Sequence, residues 1–339
     1  MSKETRINLI KKLQDARKNS FVICYITGTR QGLSYSMADD AVRLIYEHVK
    51  GLKKNKIIDL FLYSAGGAGT VPWRLINLLR EFSKSVEVLV PYKAYSAATL
   101  TALGANKIVM HPMGELGPVD PKVQNEYNPT DQRGTPIGIN VEDVASYIAL
   151  IKEGVGIRHE DELVQAFDIL AQKVHPLALG NVHRFYSQSR LIGQKLLKLH
   201  MPREDEHKIN EIVDNLTSKL FYHGHPINRK EAKELNLKIE EPGEEVENLM
   251  WDIYKEYETE LMLMEPFRPV DLLNSSGQDV LSLTDLKGVY VESTTRTDVF
   301  SSSFEITRPI LPPNATAQVI SQAKGQAAIT LLKQGWKQE

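Results

Sequence analysis

Apolar and amphipathic stretches alternate along the first third of the chain, at the lengths typical of strands and helices. A polar amphipathic pattern over residues 4–18 predicts an opening helix. Short apolar runs predict buried strands, and apolar residues at helical spacing between them predict helices. The predicted strands cover residues 20–27, 57–63, 86–90 and 107–110, and the helices between them cover residues 37–49, 71–82 and 96–105. This alternation predicts an α/β layered sheet core with mostly parallel strands and flanking helices.

The remainder of the chain has a different pattern. Residues 112–140 are rich in Gly, Pro and Asn and predict a loop, whereas residues 141–220 are predominantly helical. The composition changes at Glu240-Glu241-Pro242-Gly243, which predicts a domain at residues 1–240 and a smaller α+β extension at 241–339. Within the extension we predict a helix over residues 244–263, strands over 288–292 and 298–307, and a final amphipathic helix over 315–332.

Composition and charge exclude several classes of protein. The 339 residues include 41 basic and 43 acidic side chains, for a net charge of −2, so no overall attraction to nucleic acid is expected. Cys24 is the only cysteine and lies in an apolar run, which predicts a buried thiol and excludes a disulfide framework. No run approaches the roughly 18 apolar residues of a membrane span, and the first residues do not resemble a secretory signal. We expect a cytoplasmic protein that needs no metal or cofactor.

The first candidate for chemistry is the segment Ser64-Ala65-Gly66-Gly67, where a predicted strand turns into a helix. Glycines at such a turn let the backbone bend tightly and direct amide N–H groups toward a ligand. Amides arranged in this way can stabilise an oxyanion. The alternative is an ordinary strand-to-helix turn without a ligand.

The second candidate is Ser96, which lies between an apolar strand and a helix and is flanked by small residues. It could be a nucleophile, or it could only cap the following helix. Both candidate segments follow the carboxyl ends of successive strands, and sites in open α/β sheets form at that edge. The chain has no G-x-S-x-G elbow, which argues against an ordinary α/β-hydrolase.

An ordered set of motifs extends this pattern into a family resemblance. The motifs are Gly66-Gly67, Ser96-Ala97-Ala98-Thr99, a strand at residues 105–110, Leu116-Gly117-Pro118-Val119-Asp120-Pro121, and His223-Gly224-His225-Pro226-Ile227 followed by Glu231-Ala232. Residues 18–238 thereby resemble the Clp-protease/crotonase superfamily. Within it they are most similar to the serine dehydrogenase proteinase family, which is related to signal peptide peptidase A. One departure is Ala98, where that family usually has glycine, and a larger residue could narrow the cleft.

The resemblance implies a Clp-protease/crotonase-like fold and a serine protease site. Its nucleophile would be Ser96, and the oxyanion donors would be the amides of Gly66, Gly67 and Ala97. Asp120 and His223 fall near the positions of the other triad members, in the altered order Ser, Asp, His. His223 would then accept the Ser96 proton and Asp120 would orient the imidazole, since triad geometry does not depend on chain order.

Other bases remain open. His225 is two residues from His223 and could exchange roles with it, and His111 ends a predicted strand. Relatives with a Ser-Lys dyad carry lysine where this chain has Ile139, which weakens a dyad, although Lys122 is near enough in sequence to be kept as an alternative.

Three functions therefore compete. The first is an ATP-independent serine peptidase that hydrolyses peptide or protein substrates. The second is a crotonase-like enzyme acting on acyl-CoA thioesters, which would need the oxyanion hole but not Ser96. The third is a catalytically silent scaffold, which the Ala98 departure leaves open. The resemblance also implies a homo-oligomer, with the region after Glu240 contributing to assembly or substrate gating.

Overall fold

The computed structural model describes residues 2–18, 20–119, 122–131, 134–202, 205–219, 225–309 and 325–339. The helices are α1 (Lys3–Ala16), α2 (Asp39–Val49), α3 (Val71–Glu81), α4 (Ala97–Leu103), α5 (Val141–Ala149), α6 (Glu160–Lys173), α7 (Pro176–Leu197), α8 (Glu206–Asp214), α9 (Arg229–Glu234), α10 (Glu244–Glu260) and α11 (Pro269–Ser276), with π-helical turns at Leu150–Gly154 and Asn215–Lys219. The strands are β1 (Phe21–Thr27), β2 (Thr29–Arg30), β3 (Leu33–Ser34), β4 (Ile57–Tyr63), β5 (Ser85–Val90), β6 (Lys93–Ala94), β7 (Lys107–Met110), β8 (Glu115–Leu116), β9 (Lys122–Val123), β10 (Ile139–Asn140), β11 (Ile227–Asn228), β12 (Ile239–Glu240), β13 (Val280–Ser293), β14 (Thr297–Thr307) and β15 (Ala328–Gln338).

Eight strands form the main sheet, in the order β12-β7-β5-β4-β1-β13-β14-β15. The five strands from β12 to β1 are parallel to one another, whereas β13, β14 and β15 join as antiparallel neighbours. A smaller sheet of β11, β8 and β6 lies beyond the carboxyl ends of β5 and β7 along the chain. The predicted α/β fold with a mostly parallel core is confirmed.

Helices cover both faces of the parallel strands, which explains why these strands are continuously apolar. On one face α2, α3, α4 and α7 pack into a core that includes Ile45, Leu75 and Leu196. On the other face α1 and α10 pack over a second core, which includes Ile10 and Met250. Six of the seven residues of β1 and of β4 are buried between these layers. The sheet therefore holds its carboxyl edge rigidly, and that edge carries both candidate segments.

The C-terminal part of the chain extends the same sheet. Strand β13 pairs antiparallel with β1, with Ile23 opposite Ser293 and Thr27 opposite Val289. Helix α10 contacts α1 over the second core. The division of the chain at Glu240 stays a prediction. Of the described residues after it, β13 pairs with β1 and α10 packs on the core over the parallel strands.

The predicted final helix over residues 315–332 is wrong in its described part. Residues 310–324 lie outside the described residues, and Ala328–Gln338 form strand β15, which pairs with β14 from Asp298 to Thr307. Ala, Gln and Lys favour helix locally, but Ile329 and Leu331 alternate on one face, as in a strand. The open edge of β14 offers hydrogen bonds that override the local preference.

Within the described residues, the model contains no helix with the length and apolar character needed to cross a bilayer.

Candidate active site

The turn after β4 is held by hydrogen bonds on both sides. The Ser64 backbone bridges to the segment ending in Ala94, and the Ser64 hydroxyl accepts hydrogen bonds from the Thr27 hydroxyl at 2.7 Å and from the Gly66 amide at 3.0 Å. Beyond it, the Met37 amide donates to the Gly66 carbonyl at 2.8 Å. Gly66 has φ +108°, a region that L side chains rarely adopt, so glycine is required at this turn.

Ser96 lies directly against this turn. A Cβ atom added to Gly66 would be 2.8 Å from the Ser96 Cβ, so the two residues are in contact only because Gly66 lacks a side chain. Ser96 has φ 53° and ψ −113° and precedes α4 without making a side-chain capping hydrogen bond. Backbone strain of this kind in a residue that is not glycine often marks a functional position. The Ser96 hydroxyl is therefore not used to cap the helix.

A cavity of about 600 Å³ opens beside Ser96. Its walls come from the glycine turn, from α4 and Val119, and from one face of α7. The residues lining it are Ser36, Ala65, Gly67, Ala68, Gly69, Thr70, Ser96, Ala97, Leu100, Val119, Phe185, Gln188, Ser189 and Ile192. None of these lining residues is charged, so the cavity suits an uncharged group.

Two backbone amides beside the cavity are unused. Within the described part of the chain, the N–H groups of Gly67 and Ala97 have no hydrogen-bond partner, whereas the Gly66 amide is engaged by Ser64. Gly67 bridges to Met37 through its neighbours, the Gly66 carbonyl and the Ala68 amide, which leaves its own N–H outside that bridge. The geometry thus offers Gly67 and Ala97 as free donors, and Gly66 as the residue that makes room for Ser96.

Thr99 joins the Ser96 turn to the segment that follows β8. Its hydroxyl oxygen lies 2.8 Å from the carbonyls of both Ala94 and Gly117, to one of which it donates, and it accepts from the Gly117 amide at 3.1 Å. Gly117 packs on the ring of Tyr95, where an added Cβ would meet ring carbon at 2.8 Å. These contacts hold residues 117–119 beside Ser96.

Ala98, the departure from the family pattern, faces away from this cavity. Its side chain is fully buried in the core beneath α4 and is not among the residues lining the cavity. The extra methyl group therefore packs in the core.

The structure places the candidate bases at different locations. His111 lies against α10, its ring stacked on Trp251 with 5.0 Å between centroids, and burial lowers its pKa. Helix α4, which follows Ser96, belongs to the core on the opposite face of the sheet. His225 is partly exposed and its Nε2 is 2.7 Å from the Glu231 carboxylate.

Three of the predicted residues cannot be compared directly. Asp120 and His223 lie outside the described residues, and of Lys122 only the backbone is described, in β9 opposite Asn140. Ile139, the residue at the dyad lysine position, packs on a small apolar cluster of Val141 and Val182. Within the part of the chain that the structure describes, no three His, Cys, Asp or Glu residues group as a metal site.

Sequence reasoning missed the wall that α7 contributes. Phe185, Gln188, Ser189 and Ile192 line the cavity from a helix about ninety positions after Ser96, and no local motif marks them. The one sequence signal is the pair of small residues Ser189 and Gly193, a helical turn apart. Gly193 packs closely on α8, where an added Cβ would lie 3.3 Å from a methyl carbon of Val213.

The chain is similar to several known proteins. Residues 3–132 match the sequence profile of the ClpP-like SDH-type serine proteinases. Among curated proteins, the chain is 26% identical over 258 residues to uncharacterized protein MJ0137 of Methanocaldococcus jannaschii, covering 74% of this chain and 79% of that protein. It is 25% identical over 182 residues to uncharacterized protein MJ1495 of the same organism, covering 54% of this chain and 51% of that protein.

Two solved structures of mutants of the 1510-N membrane-bound stomatin-specific protease are also similar. The first, in complex with a substrate peptide, has a TM-score of 0.33 and 15% identity, and the match covers 61% of this chain and 69% of that one. The second has a TM-score of 0.31 and 15% identity, with 59% and 69% covered. The profile match over residues 3–132 confirms the resemblance expected from the motifs, and it indicates a serine peptidase of the ClpP-like SDH type.

Proposed function

We propose that Ser96 is the nucleophile of an ATP-independent peptidase that hydrolyses peptide bonds in polypeptides. The observation that carries the proposal is the position of Ser96, held at φ 53° against Gly66, free of any capping bond and beside a cavity of about 600 Å³. A mere N-cap serine would accept a hydrogen bond from the first turn of its helix.

The amides of Gly67 and Ala97 would bind the oxyanion of the tetrahedral intermediate. Both belong to residues lining the cavity with Ser96, and neither amide has a partner within the described residues. Preorganised N–H groups stabilise negative charge most strongly where water is excluded. In this proposal Gly66 shapes the site, and its own amide holds the turn through Ser64.

Asp120 and His223 are proposed to complete a triad with Ser96. Asp120 directly follows Val119, which lines the cavity, and the Val119 amide donates to the Leu216 carbonyl at 2.8 Å. The segments that carry the two residues therefore leave the described structure from neighbouring points.

The small sheet supports the same placement. Leu116 pairs with Ala94 on one side and with Ile227 on the other, and the strand directions carry residues 96 and 225 toward the same end of the sheet. His223 or His225 could reach the site from there, so His225 remains the alternative base.

The reaction divides into two steps. The Ser96 Oγ attacks the peptide carbonyl while the imidazole accepts the hydroxyl proton, and the carbonyl oxygen becomes an oxyanion. The C–N bond then breaks, the imidazole returns that proton to the departing amine, and an acyl-Ser96 ester remains. Water then attacks this ester and gives one proton to the imidazole. The bond between the acyl carbon and the Ser96 Oγ breaks, the imidazole returns the proton to Oγ, and the peptide acid is released.

A fluorophosphonate probe tests the nucleophile. The wild-type protein should be labelled covalently at Ser96, Ser96→Ala should lose both label and peptidase activity, and the exposed Ser282→Ala should retain both. A protein without label and without activity on casein would contradict the proposal. Stabilisation by coenzyme A thioesters in a thermal-shift assay, combined with absence of label, would instead favour the crotonase-like alternative.

Base variants test the triad. His223→Ala and Asp120→Asn should each reduce kcat by orders of magnitude, up to about 10⁴-fold as measured for other triads. His111→Ala should leave kcat unchanged, because His111 stacks on Trp251 across the sheet. If His225→Ala removes activity while His223→Ala does not, the base is His225. If Lys122→Ala alone removes it, a Ser-Lys dyad replaces the triad.

We also retain the predicted cytoplasmic location, which the single, fully buried Cys24 supports. Cell fractionation with an antibody to the protein would test it.

A further inference from the structure

The main sheet ends in an open edge. Strand β15 is the last in the strand order, and among the described residues no strand pairs with its outer side. It is eleven residues long and mostly exposed. An edge strand of this length presents a row of unpaired N–H and C=O groups, which is a template for another strand.

One face of this end of the sheet is apolar across three strands. Directly paired residues of β13, β14 and β15 form two rows, Leu281–Ile306–Ile329 and Leu283–Phe304–Leu331. The opposite face is less apolar, with the rows Ser282–Glu305–Thr330 and Val280–Thr307–Ala328. This difference between the two faces indicates that the apolar face is buried against another surface.

The cover is incomplete at β15. Phe267 and α11 pack over the inner part, and Ile306 is fully buried there. At the edge, Ile329 and Leu331 remain 50% and 47% exposed. An apolar surface that continues from a packed core to an open edge is typical of an interface with another chain.

We propose that a second copy of this chain binds here, with its β15 antiparallel to the first across a two-fold axis at Thr330. In this register Ile329 of each copy lies opposite Leu331 of the other, and Thr330 lies opposite itself. Each apolar row then continues across the axis into a row of the other copy. The partner thus covers the two side chains that α11 leaves exposed, and the two sheets become one.

The pattern of β15 disfavours registers centred on its C-terminal half. A two-fold axis at Lys333 would place two lysines directly opposite each other, which is unfavourable. The ladder with β14 is also interrupted between Leu331 and Lys333, where Leu332 is an extra residue. A bulge and a charged lysine both oppose pairing along a strand edge. The part of β15 that can pair is therefore the apolar part before the bulge, which contains Ile329 and Leu331.

A cysteine cross-link tests the register in the full-length protein. Residues directly opposite in an antiparallel pair have Cα atoms about 4.5–5.5 Å apart, which is within the range of disulfides, so Thr330→Cys can form a disulfide with its own copy. In the matched control Lys333→Cys, the two cysteines are displaced by about 20 Å along the strands. Cys24 is buried and gives no background. At low micromolar concentration, Thr330→Cys should oxidise to a covalent dimer at least tenfold faster than Lys333→Cys.

The solution mass tests the interface itself. Sedimentation should show a dimer or a multiple of it for the wild type, and Leu331→Lys should halve that mass. The control Val164→Lys, at another exposed apolar residue on α6, should not change it. A wild type that stays monomeric up to 100 micromolar, or equal cross-linking rates for the two cysteine variants, would overturn the proposal. A monomer would also point to residues 310–324 of the same chain as the cover.

Discussion

The contact between Gly66 and Ser96 can be tested with one methyl group. Gly66→Ala would place its Cβ 2.8 Å from the Ser96 Cβ and 2.9 Å from the Tyr95 carbonyl, at φ +108°. We expect a loss of roughly 1–3 kcal/mol in the free energy of unfolding, because the added Cβ strains the backbone at positive φ and also clashes with its neighbours. Ser96 labelling should slow by at least tenfold. Gly51→Ala is the control, since its Cβ would meet nothing within 4 Å, and a Gly66→Ala protein labelled at the wild-type rate would contradict the assignment.

Residues of the site differ in how far the sequence could reveal them. The proximity of Gly66 and Ser96 is predictable, because their segments come after β4 and β5 and parallel strands end at a shared edge. The division of labour between the Gly66 and Gly67 amides is not predictable, since it depends on the Ser64 hydroxyl. The part of the cavity lined by Ile192 is not predictable either, because it depends on the packing of α7 on α4, which are far apart in sequence.

At the scale of elements, Arg17 joins the end of α1 to three strands of the main sheet. Its guanidinium binds Asp59 of β4 at 3.0 Å, Glu240 of β12 at 2.7 Å, and Glu87 of β5. Asp59 is fully buried, so Arg17→Ala leaves buried carboxylates without their cation. We expect the free energy of unfolding to fall by about 3–5 kcal/mol, measured by urea denaturation.

The Arg17→Ala defect should depend on pH. Burial, followed by the nearby Asp59 charge, raises the pKa of Glu87, and losing Arg17 raises it further. Protonation on acidification then removes the buried charge, so the destabilisation should shrink from pH 8 to pH 5. A defect that stays constant over this range would show that lost packing is its cause. The exposed Lys255→Ala serves as a control without a buried partner.

A second prediction at this scale concerns His200, which joins the end of α7 to α4. Its Nε2 donates to the Leu103 carbonyl at 2.8 Å, and within the described residues its buried Nδ1 has no partner. Burial therefore lowers the pKa of His200 from 6.5 to about 4. The unfolded chain binds a proton as the pH falls below 6.5, whereas the folded protein does not until about 4, so stability decreases across this window.

His200→Gln should flatten that dependence, because glutamine keeps a donor for Leu103 and does not titrate. The measurement is the free energy of unfolding at several pH values between 4 and 7. The slope should decrease by up to one proton relative to the wild type, and His207→Gln, an exposed histidine on α8, should leave it unchanged. An unaltered slope in His200→Gln would contradict the assignment.

Strands and helices were predictable where the pattern of burial is local. Residues 57–63 are apolar because β4 is covered on both faces, and the structure has the strand at Ile57–Tyr63. Strand β15 was not predictable, because its sequence contains few residues that must be buried and its place depends on β14. Exposed elements leave weak hydrophobic patterns, which is why the helix over residues 315–332 was predicted wrongly.

At the scale of the whole molecule, a buried ion pair joins helix α1 to strand β13 of the C-terminal region. The Arg6 guanidinium of α1 donates to both oxygens of Glu292 in β13, at 2.8 and 3.2 Å, and the Tyr257 hydroxyl of α10 donates to the same carboxylate at 2.6 Å. Both charged side chains are almost completely buried. A buried charge that loses its partner is strongly destabilising, so α1 depends on the C-terminal region for its stability.

This dependence predicts that residues 1–240 do not fold alone. Without β13 the strand β1 becomes an open edge, and without α10 its apolar side chains Val22, Cys24 and Ile26 face water. Expressed alone, this fragment should lack a cooperative thermal transition by circular dichroism and should aggregate.

A fragment of residues 1–309 keeps β13, β14 and α10, so it should unfold cooperatively and retain Ser96 labelling, but it should be monomeric without β15. Cooperative unfolding of 1–240 would mean that residues 241–339 are an appendage, whereas its failure would make them part of the fold that holds the sheet edge beside Ser96.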